Sequence, residues 1–153
     1  MRKRSILQLM GSLLGATGGK GGSQVAPADL IGVWHLQSQG APILHHVLCF
    51  HADGIVTSFQ ADGGFPTDRE SNGAGSWQWV GEDQVQGMFL EFRHDRTTHE
   101  YVGSVEVHFC LTLKTNTLTG QATTHLYDAQ GTCLAVVTPT WSATRLLFSG
   151  GNR

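Results

Sequence analysis

His46 and Glu91 are the two residues of this chain with which acid–base chemistry could be done inside a fold. His46 lies in an apolar run, residues 43–51, where Leu44, His46, Leu48 and Phe50 alternate with His45, Val47, Cys49 and His51. On an extended strand alternate residues share a face, so His46 shares the apolar one. Glu91 lies in the run 85–93, which is ambiguous: Met88, Leu90 and Phe92 oppose Phe89, Glu91 and Arg93. If the second set points inward, an imidazole and a carboxyl meet in one apolar interior, and a positioned His with a carboxylate can serve as a general base. Tyr101 is a second partner that His46 could use. The plainer expectation for a single interior His is a ring satisfied by backbone or water.

Other chemistry is weakly represented. Three cysteines, Cys49, Cys110 and Cys133, cannot form a closed disulfide framework and are expected as free thiols. The 8 histidines make the charge pH-sensitive near pH 6. His45 and His51 share a strand face but stand roughly 20 Å apart, too far to share an ion. His94 and His99 flank a turn. No metal site and no cofactor is expected. There is no G-x-S-x-G, and the glycines around Lys20 follow no strand, which removes the phosphate-loop reading. Net charge is −2 with 14% charged residues, so the basic face that a nucleic-acid partner needs is missing.

The elements that must position these residues are strands. Apolar alternation and turn residues mark eight runs: 30–39, 43–51, 55–60, 76–80, 85–93, 101–114, 118–127 and 132–147. Ala52-Asp53-Gly54 is a strong hairpin signal. No segment carries a sustained 3.6-residue period, and connections of two to five residues leave no room for crossover helices. The expectation is an all-β domain, a single antiparallel up-and-down barrel of about eight strands. In the sixth run Tyr101, Gly103, Val105, Val107, Phe109, Leu111 and Leu113 share the inward face. The longest loop, 61–75, is a candidate rim or lid.

The first 28 residues are set apart. Arg2, Lys3 and Arg4 precede a short apolar stretch, a glycine-rich segment and Ala26-Pro27-Ala28, the three-part layout of an export signal. Lys3-Arg4-Ser5-Ile6-Leu7-Gln8 resembles a relaxed twin-arginine signal. The apolar part is far shorter than the roughly 20 residues of a membrane span. The domain is therefore expected to be residues 29–153, exported to the periplasm or the medium; without a signal it would be cytoplasmic. Four cationic and no acidic residues lie before position 29, so the domain alone carries −6.

Gly32-Val33-Trp34 on the first run resembles the Gly-x-Trp signature of lipocalins and the wider calycin group. Residues 50–54, 73–77 and 89–92 resemble small bacterial lipocalin-like proteins, and the likeness spans roughly residues 30–147. The resemblance implies that Trp34 closes one end of the barrel and that Arg145 packs across it. A barrel of this size is filled by its own side chains or holds one small ligand. The ligand-pocket candidates are His46, Phe50, Trp77, Trp79, Tyr101 and Phe109. The leading expectation is binding of a small apolar or amphipathic molecule. The alternatives are a small barrel enzyme, an isomerase or cyclase using His46 with Glu91 or Tyr101, and a filled barrel acting as a structural or partner-binding module. No stable membrane insertion of the domain is expected.

Overall fold

A computed structural model describes residues 29–60 and 65–147; the expected export signal lies outside the described residues. Ten strands follow in chain order: β1 (Gly32–Gln39), β2 (His45–Phe50), β3 (Ile55–Gln60), β4 (Asp68–Glu70), β5 (Gly73–Trp79), β6 (Gln84–Asp95), β7 (Tyr101–Lys114), β8 (Thr117–Asp128), β9 (Cys133–Val137) and β10 (Thr140–Arg145). Every pairing is antiparallel, as tight hairpin connections require. The order β10-β1-β2-β3-β5-β6-β7-β8 closes through β10 on β8, giving an eight-stranded up-and-down barrel. This architecture is consistent with a calycin-like fold.

Two expected segments are subdivided. The last run is broken at Pro139, which has no N–H to donate to a ladder. Residues before it form β9 beside Thr124–Tyr127 of β8, and residues after it form β10 beside Thr117–Gln121. The long loop 61–75 contains β4, which pairs with the outer part of β6 from Asp68↔Asp95 to Glu70↔Arg93, and the start of β5. All three cysteines are free.

One end of the barrel is sealed by packing. Trp34 is 0% exposed, and its indole N–H donates to the Leu30 carbonyl at 2.9 Å. The Arg145 guanidinium lies 4.7 Å from the Trp34 ring centre and donates to the Ile31 carbonyl at 2.9 Å. A guanidinium on an indole face combines ring attraction with cover for apolar surface. Above this plug Leu36, Leu48, Val56, Val85, Leu111 and Leu118 fill the section. An aromatic column rises from there: Phe50 meets Phe109 edge-on at 6.0 Å, and Trp141 stacks on Phe109 and Phe89 at 5.8 and 6.3 Å. Gly87 makes room for this column, because a Cβ there would collide with the Phe109 ring and with the β5 backbone.

The ambiguity of β6 resolves with Val85, Phe89 and Glu91 inward and Phe92 outward. At Tyr101 the expected alternation fails. The ladder passes from Arg93↔Gly103 to His94↔Tyr101, so one extra β7 residue is accommodated, and Gly103 takes a φ of 150° that side chains rarely adopt. The bulge turns Tyr101 to the outside, where it is 45% exposed and packs edge-on against Phe92 and His94. Tyr101 is therefore neither a pocket wall nor a partner for His46.

Candidate functional site at the barrel mouth

The end opposite Trp34 is framed by the turn between β1 and β2, by β4, and by the break at Pro139. A cavity of about 70 Å³ opens there between Ser38, His46, Gln60, Glu91, Phe89 and Trp141. A second space of about 190 Å³ adjoins it, walled by Glu70, Arg93, Val105, Thr124, Leu126 and Val137. Phe65, Glu70, Val105 and Thr124 border both spaces. The floor is the top of the aromatic column, with Trp141 only 3% exposed and tilted toward the His46 ring at 6.3 Å.

The polar groups arrive on five strands. Gln60, the last residue of β3, donates from Nε2 to Glu70 on β4 at 2.7 Å and to Glu91 on β6 at 3.0 Å. His46 on β2 has Nε2 3.4 Å from the Ile43 carbonyl. A carbonyl only accepts, so this contact places the proton on Nε2 and leaves Nδ1 as an acceptor. Ser38 comes from the end of β1. Four side-chain atoms lining the cavity are buried without a hydrogen-bond partner among the described residues: Ser38 Oγ, His46 Nδ1, Gln60 Oε1 and Glu91 Oε1. Ser58 stands beside Glu91, close enough to ease its charge yet outside hydrogen-bonding geometry.

Burial sets the charge state. Glu91 is 2% exposed, and its carboxyl is pushed up to about 8, first by desolvation and then by the neighbouring Glu70 charge, with Ser58 and Gln60 pulling weakly the other way. His46 is held below its ordinary value by desolvation, with the Ile43 contact opposing and the His45 charge assisting. At neutral pH the mouth thus holds an uncharged carboxyl and an uncharged imidazole. Charge is balanced at the rim: Arg93 Nε and Nη2 both reach Asp68 Oδ2, at 2.6 and 2.5 Å, and Arg96 donates to the Phe65 carbonyl at 2.5 Å.

Of the expected site residues, His46 and Glu91 line one cavity. Phe50 and Phe109 belong to the packed column beneath it. Trp77 and Trp79 lie toward the sealed half: the Trp77 indole N–H donates to the carbonyls of His51 and Ile55 at the β2–β3 hairpin. Sequence reasoning missed Trp141, Gln60, Glu70 and Ser38. Trp141 alternates with Ala143 in the last run, a face pattern that could have been read. Gln60 and Glu70 meet only because Asp68–Glu70 folds back as β4.

Elsewhere the chemistry is sparse. His45 lies 3.2 Å from His35, its diagonal neighbour on β1, rather than near His51. Among the described residues no three His, Cys, Asp or Glu side chains converge as a ligand set for a metal. A broad trough of about 810 Å³ crosses the outside of β5 to β8 past Ser76, Gln86, Met88, His108 and Gln121. It borders Trp77 and Phe109 of the expected pocket residues but gathers none of the orphaned buried polar atoms of the mouth. No protein-family model, characterised protein or solved structure matches this chain.

Proposed function

We propose that the protein binds one small amphipathic molecule at the mouth of its barrel. The observation that carries this reading is the convergence of four buried, unpartnered polar atoms on a cavity whose floor is aromatic. A buried polar atom without a partner costs roughly 1–3 kcal/mol, so four around one space call for bonds from ordered water or from a ligand that replaces it. An apolar wall with a few convergent polar groups is the usual composition of a small-molecule site. Spaces of about 70 and 190 Å³ are below the roughly 300–1,000 Å³ of drug-sized pockets, so the occupant is small. The Gly-x-Trp resemblance to lipocalins supports the same reading. A second reading, acid–base catalysis, draws on His46 and Glu91 lining one cavity, both uncharged at neutral pH.

A thermal-shift screen of the full chain against small amphipathic compounds tests the proposal. A ligand of the folded state raises the melting temperature by mass action. Thr124→Trp, which places an indole between the two spaces, is expected to abolish the shifts. A screen without hits, or hits that survive Thr124→Trp, would count against the site. His46→Ala separates the two readings: a binder loses one hydrogen bond, roughly tenfold in affinity, whereas an isomerase or cyclase still binds but loses roughly 100-fold or more in turnover.

A further inference from the structure

Resting on the mouth as the binding site, we propose that the polar end of its occupant is a protonated amine, held by His46, Gln60 and Glu91 and exchanged for a proton. The orphaned atoms have a common character. His46 Nδ1 is left as an acceptor by the Nε2 contact to Ile43. Gln60 Oε1 is the acceptor end of an amide whose Nε2 is already committed to two carboxyl oxygens. Glu91 Oε1, the oxygen that Gln60 leaves free, carries the proton of the neutral carboxyl and becomes an acceptor when that proton leaves, and Ser38 Oγ can accept or donate. A site offering two acceptors, and a third once Glu91 gives up its proton, calls for a ligand with several N–H donors on one atom. An alkylammonium has three, an alcohol one and a carboxylate none.

The surrounding charge points the same way. Facing Glu91 are Gln60 and Ser58 from β3, His46 from β2 and Glu70 from β4. Arg93, on β6 itself, is tied to Asp68 at the edge of the adjoining space. No lysine borders either space. An arriving cation would meet two carboxyl groups and the aromatic floor of Phe89 and Trp141, which favours a cation further. The exchange balances: the ammonium enters with its three protons, the O–H bond of Glu91 breaks, its proton leaves to solvent, and the carboxylate–ammonium pair remains.

Isothermal titration calorimetry of the full chain at pH 7 with benzylamine, benzyl alcohol and benzoate reads this directly. Benzylamine is expected to bind roughly tenfold to a hundredfold more tightly than benzyl alcohol, as for hydrogen bonds to a charged group, with benzoate weakest. Repeating the benzylamine titration in two buffers of different ionisation enthalpy should show close to one proton released. Glu91→Gln should abolish both the release and the preference, and Thr124→Trp should abolish binding. Benzyl alcohol or benzoate binding as well as benzylamine would overturn the amine, and benzylamine binding without proton release would overturn the exchange; either result leaves the mouth as a site. If none of the three binds, the amine is overturned, and hits in the thermal-shift screen that Thr124→Trp removes decide whether the binding site falls with it.

Discussion

Glu91→Gln is expected to make the protein more stable above neutral pH and to flatten its pH dependence. Unfolded, the Glu91 carboxyl titrates at 4.5; folded, it titrates at about 8. Between those values the folded chain holds a proton that the unfolded chain has lost. The stability therefore falls as pH rises through this window, by about 1.4 kcal/mol per unit at most. Below pH 4.5 both states are protonated and the cost is absent; above about 8 it is complete, at about 5 kcal/mol as an order of magnitude. Domains of this kind have only about 5–15 kcal/mol in total. Gln fills the same space and cannot ionise. Urea unfolding at pH 5 should place variant and parent within about 1 kcal/mol of each other. At pH 9 the variant should be ahead by several kcal/mol, and curves that stay parallel from pH 5 to 9 would show that Glu91 is not buried as described. A cavity-lining carboxyl that lowers stability at neutral pH is a functional-site candidate, in keeping with the proposed binding at the mouth.

The second large effect lies at the other end of the barrel. Trp34→Ala should cost about 3–5 kcal/mol, the usual range for removing a fully buried large aromatic. The Leu30 carbonyl would lose its donor, and the Arg145 guanidinium would lose the ring beneath it. Arg145→Met keeps the apolar stem but gives up the bond to the Ile31 carbonyl and the ring attraction, about 1–2 kcal/mol. Urea midpoints of the two variants check the order, with Trp34→Ala the lower. Equal midpoints would mean that Trp34 does not anchor the sealed end.

The barrel was legible because its signals are local. Alternation in residues 101–114 and the turns at 52–54 and 81–83 fix strand direction and face, and closure follows from short connections. His46 could be placed inward by the same alternation. Tyr101 could not, because a bulge inverts the face and only the φ of Gly103 with the ladder against β6 reveals it. Glu91 sat in a run whose two faces were equally apolar, so its burial depended on what lay across the interior. Gln60 and Glu70 come together through the folding back of β4, a long-range pairing that no spacing encodes. The split at Pro139 was available from the proline itself.

The most direct test of ligand binding at the mouth is a methyl NMR titration of the full chain with a library of small amphipathic fragments. Val105, Val107 and Val137 border the mouth, whereas Val85, Leu111 and Leu118 lie in the packed half. Binding at the mouth requires fragments that shift the first set and leave the second unmoved, with the response lost in Thr124→Trp. Fragments that move no mouth methyl, or that act only on Met88 in the outer trough, would contradict it.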